Sequence, residues 1–283
     1  MAGTLAYVLL DVFTDTPLEG NPLCVFSDAR ELPEAQMQRL ARELNLSETV
    51  FVLAPLQGGD VRIRIFTPAA ELPFAGHPVL GSAIVVGAAL RREEVSLETR
   101  AGTVAVALRR GDERVAHGRM SQPVPSWAPY EHEAELLGGL GLERSGLPVE
   151  VYRNGPLYVY VELESERALA RLAPDMRALA GLGEVGVACF AGEGTRWKAR
   201  VFAPGLGIPE DPATGSAAGP LAVHLARHGR IAFGEQVQIG QGAEIGRPSV
   251  LYARAEGSAA AIERVEVAGD AVIVAGGEFL ALG

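Results

Sequence analysis

Residues 61–66 (VRIRIF) alternate without a break, apolar at 61, 63 and 65 and arginine at 62 and 64. That period of two predicts a strand with one buried face. Residues 32–44 (LPEAQMQRLAREL) carry proline at the start and Met37, Leu40, Ala41 and Leu44 at helical spacing, which predicts an amphipathic helix. Residues 79–91 (VLGSAIVVGAALR) are apolar on every side, as in a helix enclosed all round. A second such helix is predicted at 217–227. In the first half, β-rich runs bounded by turn residues predict strands at 6–13, 23–26, 49–53, 94–99, 103–109 and 113–120. In the second half they fall at 149–153, 157–162, 186–190, 199–202, 236–239, 249–255, 260–267 and 271–274. Further helices are predicted at 131–137, ending at Gly138-Gly139, and near 166–180. The proline-rich run 121–129 (SQPVPSWAP) reads as a linker.

The two halves repeat one another. RIFTPAAELPFAGHPVLGSAIVV reappears as RVFAPGLGIPEDPATGSAAGPLAV, with Phe66 matching Phe202, Pro68 matching Pro204 and Pro73 matching Pro209. Gly81-Ser82 matches Gly215-Ser216 after a two-residue deletion. Each half therefore has a strand, a loop and a core helix. The fold class this predicts is α/β with two pseudo-symmetric domains, 1–120 completed by a returning strand at 268–283, and 121–267. Packed face to face, such halves would place both loops and both helix starts along one interdomain cleft.

Composition narrows the function. Of 283 residues, 48% are hydrophobic and 21% charged, which excludes a disordered or collagen-like chain. The net charge of −10, without a basic cluster, argues against nucleic acid as a partner. The opening MAGTLAYVLLDVFTD has no basic segment, so no secretory leader is expected. The longest apolar run, 78–90, falls short of the roughly 18–20 residues of a membrane span. Cys24 and Cys189 each sit in an apolar run and read as reduced core residues. The expected location is the cytoplasm.

A helix start leaves about four backbone N–H groups unpaired and carries roughly half a positive charge. It is a ready carboxylate site, and two of them would hold a small anion or zwitterion. Gly76 and Gly215 allow close backbone approach, while Thr214 and Ser216 can cap or donate. His77, Asp211 and Ser216 lie in or beside these loops, and Glu48 in LSETVF is the candidate acid/base group. A carboxyl enclosed in an apolar cleft is suited to take and return a proton. Each has an ordinary alternative: Glu48 a solvated residue at a strand start, His77 a helix cap, Asp211 a turn element, Ser216 a helix-start residue. Their joint occurrence with duplicated loops singles them out. Because an acidic surface does not steer an anion inward, capture would rest on the local field of the helix ends.

LSETVF, ELPFAGHPVLGSA and EDPATGSAAGPLA, with the opening DVFTDTPLEGNPLCVF, resemble the PhzF-like (phenazine-biosynthesis-type) isomerase family over nearly the whole chain. The resemblance implies a diaminopimelate-epimerase-like fold, each domain a curled, mostly antiparallel sheet wrapped around a central apolar helix. It implies proton transfer with no cofactor and no metal, and a homodimer. In the phenazine enzyme a glutamate removes a proton from one carbon of a dihydro-hydroxyanthranilate ring and returns one to another. By motif that glutamate is Glu48, with His77, Asp211 and Ser216 binding or assisting, and Asn21 of GNP a weaker carry-over. Racemases of this fold use a cysteine in each helix-start loop; Ala75-Gly76-His77 and Pro212-Ala213-Thr214 stand there instead.

Two apparent motifs have plainer readings. Gly181 to Gly186 fits GxGxxG but follows a helix and precedes a strand, the reverse of a dinucleotide fingerprint. His224 and His228 show no third ligand in the sequence, so a cationic helix end is expected there rather than zinc. The readings that remain are a single-glutamate isomerase acting on a small anionic or zwitterionic carboxylate, an amino-acid-type epimerase or racemase without the cysteine pair, and a non-catalytic small-molecule binding protein.

Overall fold

The repeated motif becomes a repeated order of strand pairings. In the computed structural model, which describes residues 4–111 and 115–280, the chain divides into two compact units, Met1–Ser121 with Ala268–Gly283, and Gln122–Val267. In chain order the first run holds β1 (Leu5–Val12), β2 (Asn21–Phe26), α1 (Glu34–Leu44), β3 (Glu48–Leu53), β4 (Val61–Phe66) and β5 (Glu71–Leu72). Next come α2 (Gly76–Leu90), β6 (Glu94–Thr99), β7 (Gly102–Arg110) and β8 (Val115–Gln122). The second run holds β9 (Ser126–Pro129), α3 (Glu133–Leu140), β10 (Glu150–Arg153), β11 (Leu157–Glu162), α4 (Glu166–Ala170) and α5 (Met176–Ala180). It continues with β12 (Gly186–Glu193), β13 (Arg196–Ala203), β14 (Ile208–Asp211), α6 (Gly215–Arg227), β15 (Gln236–Gln241), β16 (Ser249–Ser258) and β17 (Ala261–Phe279).

In the first unit β1–β2 is antiparallel, β2–β3 parallel, β3–β4 and β4–β5 antiparallel, β4–β6 parallel and β6–β7 antiparallel. The second unit repeats that series as β10–β11, β11–β12, β12–β13, β13–β14, β13–β15 and β15–β16. Parallel neighbours need a crossover, and helices supply it: α1 and α2 in the first unit, α4 with α5 and then α6 in the second. β17 leaves the second unit at Val267, and its Ala271–Phe279 run pairs with β1.

Each sheet curls around one helix. α2 packs against β1, β2, β3, β6 and β7, and every residue from Gly76 to Gly87 is buried. α6 packs against β15 and β16 and receives the Tyr160 hydroxyl on the Ala217 carbonyl at 2.8 Å; Gly215 to Ala226 are buried. Among the described residues no helix is long and apolar enough to cross a membrane.

Several boundaries differ from the sequence expectation. α2 starts at Gly76, three residues early, because Pro78 falls in the first turn, where its missing N–H costs nothing. α6 likewise starts at Gly215 rather than 217. The helix expected at 166–180 is two short ones, since Pro174 disfavours helical backbone before it. α3 runs through the glycine pair to Leu140 and ends on Gly141 at φ 69°. The expected linker contains β9, whose one proline, Pro129, is tolerated at the end of an edge strand. The two final strands are one, continuous through Gly269-Asp270. Residues 113 and 114 of the strand expected at 113–120 lie outside the described residues.

Candidate active site

In the first unit Glu48 opens β3, level with Leu23 of β2, and His77 is the second residue of α2. Both are buried, and Glu48 Oε2 lies 3.4 Å from His77 Nε2. The distance exceeds an ordinary hydrogen bond, and the two groups lie within a small adjustment of one. Burial pushes the His77 imidazole down to about 3. The ring therefore meets the carboxyl as a neutral dipole and is not where a proton taken up by the pair would rest. Gly76 begins α2, and Ala75 before it supplies no side-chain cap. Asn21, fully buried, begins β2 opposite Val12.

In the second unit Gly215 and Ser216 begin α6, with Thr214 as the N-cap residue. The Thr214 hydroxyl does not cap the helix. It donates to Asp211 Oδ2 at 2.5 Å, and Ser216 Oγ lies 2.9 Å from the Tyr158 hydroxyl. A proline inside α6 shapes what lies behind. Pro220 has no N–H, so the Ser216 carbonyl loses its helical donor. Asn154 Nδ2 replaces it at 3.0 Å, and Gln122 Nε2 donates to the Gly215 carbonyl at 2.9 Å.

The hairpin before each core helix carries the same brace. Arg64 grips Glu71 through Nε at 2.8 Å and Nη2 at 2.6 Å; Arg200 grips Glu210 at 2.9 and 2.8 Å. Each guanidinium also covers a ring, Phe66 at 5.1 Å and Phe202 at 5.0 Å. These are the phenylalanines that align in the repeat. Two-pronged arginine–carboxylate pairs fix geometry as well as charge, and the second one anchors the residue next to Asp211.

One difference between the units bears on the site. β3 begins with Glu48, whereas β12, in the same place in the pairing order, begins with Gly186. A Cβ there would lie 2.5 Å from the Tyr158 ring. The carboxyl thus stands in one unit and a tyrosine ring fills its counterpart in the other.

Cys24 and Cys189 are buried on β2 and β12. Burial pushes the Cys24 thiol up to about 12 and the Cys189 thiol higher still, so neither supplies a thiolate. The expectation that His224 and His228 have no third neighbour is corrected: β10 brings Glu150 to them, at 3.2 and 3.1 Å. Arg227 occupies the same Glu150 oxygen at 2.6 Å, with the Tyr152 hydroxyl at 2.9 Å. Burial alone would raise the Glu150 carboxyl; donors from His224, Arg227, His228 and Tyr152 outweigh it and hold the group well below the usual carboxylate range. Trp127 lies against the Arg227 guanidinium at 4.1 Å. The cluster is a buried charge hub tying the end of α6 to β10, with a cation already on the carboxylate. Sequence spacing did not bring Glu150, Tyr158, Asn154 or Gln241 into view; Pro220 was the visible sign that some side chain must serve Ser216.

Two matching α/β units, each with its sheet packed on one buried apolar helix, make an epimerase-like fold, and the first of them holds a carboxyl beside a neutral imidazole. The chain belongs to the phenazine biosynthesis-like (PhzF) family, whose model matches residues 10–277. It is 55% identical to the trans-2,3-dihydro-3-hydroxyanthranilate isomerase of Pseudomonas aeruginosa, covering 96% of this chain and 98% of that protein. Identity to the isomerase of that name from Pseudomonas fluorescens is also 55%, over 94% and 96%. The crystal structure of a PhzF-family phenazine biosynthesis protein from Bacillus anthracis superposes with a TM-score of 0.86 at 24% identity, over 98% of this chain and 99% of that one.

Proposed function

We propose that the chain isomerises trans-2,3-dihydro-3-hydroxyanthranilate, or a ring carboxylate closely like it, with Glu48 removing a proton from one carbon and returning one to another. The observation that carries the reading is the buried Glu48–His77 pair. Burial keeps the imidazole neutral, so His77 can hold or orient the carboxyl without taking its proton. High identity over the full length to two isomerases of that substrate supports the substrate class. Gly76, Gly215, Thr214, Ser216 and Asp211 are assigned to substrate binding, the helix-start amides taking the carboxylate, and Asn21 to the same task from β2. The reading includes a homodimer in the cytoplasm, to be checked by sedimentation and cell fractionation.

The test is turnover of that compound in deuterium oxide, followed by NMR. One deuteron should enter carbon as the double bonds migrate. Glu48→Gln, nearly isosteric, should lower kcat by about 10²–10⁴-fold while calorimetry still detects binding of anthranilate, an aromatic analogue that keeps the substrate's carboxylate and amine. Full turnover by that variant would remove Glu48 from the mechanism, and inversion at one carbon without double-bond migration would favour an epimerase.

A further inference from the structure

We propose that Gln241, the last residue of β15, is a positioning residue that keeps the start of α6 open for an anion. The inference rests on the reading that this helix start binds the substrate's carboxylate. Two oxygen acceptors stand beside that start: the hydroxyl of the N-cap residue Thr214 and the carboxylate of Asp211, which the hydroxyl contacts. Threonine at this position ordinarily accepts from an amide of the first turn. Here it makes no such bond.

The reason lies in how Gln241 is wired. It is buried; its Oε1 accepts the Thr214 N–H at 3.2 Å, and its Nε2 donates to the Asp211 carbonyl at 2.7 Å and to Thr214 Oγ1 at 2.9 Å. A hydroxyl has one proton to give. With Gln241 donating to its oxygen, Thr214 directs that proton to Asp211 Oδ2 at 2.5 Å. Each potential cap thus occupies the other, and the Gly215 and Ser216 amides, which as the first residues of a helix have no acceptor within it, are left to an incoming anion. Take away Gln241 and the Thr214 hydroxyl is free to turn onto the helix, or the Asp211 carboxylate to swing over it, either of them competing with substrate.

The test uses Gln241→Leu and Thr214→Val, singly and together, on the full-length protein with trans-2,3-dihydro-3-hydroxyanthranilate as substrate. Gln241→Leu should raise KM at least about tenfold with kcat within about threefold. A merely structural role would lower apparent kcat through lost folded enzyme and leave KM alone, and that outcome overturns the proposal. Because both residues act through one lock, the double variant should show the KM rise of one single variant, not the product of two; a multiplicative effect also overturns it. A crystal structure of Gln241→Leu gives a readout that needs no turnover: the Thr214 Oγ1–Asp211 Oδ2 contact should open beyond 3.2 Å, and its persistence at 2.5 Å would sink the idea. Glu48→Gln in the same assay keeps the two readings apart. Loss of kcat there with an unchanged KM in Gln241→Leu would spare the proposed function and reject the role of Gln241.

Discussion

His77 ties acid stability to the state of the candidate site. Its ring sits buried at the start of α2 with a folded value of about 3, against 6.5 for an ordinary histidine. The unfolded chain therefore binds a proton that the folded chain refuses, and stability falls as pH drops from about 6.5 towards 3. Between pH 8 and pH 5 the unfolded form gains about 2 kcal/mol from this one group, and below pH 3 the effect levels off at about 4–5 kcal/mol. Urea unfolding followed by circular dichroism at pH 8 and pH 5 would measure it. His77→Gln, neutral at every pH, isolates the term from the other histidines and acids: wild type should lose about 2 kcal/mol more than the variant over that interval. Direct NMR titration should find the His77 ring neutral at pH 5. Parallel stability profiles for wild type and variant, or a ring titrating near 6.5, would refute both the burial argument and the claim that Glu48 faces a dipole.

Other predictions follow from contacts behind the site. Asn154→Ala should cost about 1–3 kcal/mol by urea unfolding, because the Ser216 carbonyl then has no donor; adding Pro220→Ala, which restores the helical N–H, should recover part of the loss. Glu150→Gln should destabilise by about 3 kcal/mol at pH 7, as breaking a buried ion pair does. The Glu150 carboxyl is held low in the fold, so its contribution is present above the ordinary carboxylate value and disappears as pH falls through the folded one. The gap between the thermal melts of Glu150→Gln and wild type should accordingly narrow steadily as pH falls below about 4.

The duplicated architecture was legible because its signals are local. Alternation in VRIRIF and the all-apolar runs depend on neighbours a few residues away, and the repeat that aligns Phe66 with Phe202 compares two such local patterns. The site was legible only where a motif carried it. Glu48 in isolation looks like any strand-start carboxylate; what distinguishes it is His77, 29 residues on in the first turn of α2, and topology alone brings the two together. Gln241 was half visible, since Val237 and Ile239 put the inward face of β15 on odd positions, so that continuing the strand two residues would have turned Gln241 inward. Glu150 was hidden because His224, Arg227 and His228 lie more than seventy residues away on another element. Proline misled three times, in 121–129, at Pro78 and at Pro174, because its effect depends on whether its missing N–H falls at an edge, in a first turn or mid-helix.

The strand that finishes the first unit is synthesised long after the rest of it. When residue 121 leaves the ribosome, β1 has β2 on one side and an unsatisfied row of amides and carbonyls on the other, awaiting Ala271–Phe279. At about 5–20 residues per second, close to 150 further residues impose a delay of roughly 7–30 s. An open strand edge in that interval invites pairing with another nascent chain. A nonsense mutation anywhere between the codons for residues 122 and 271 would therefore injure the half of the molecule that was translated first.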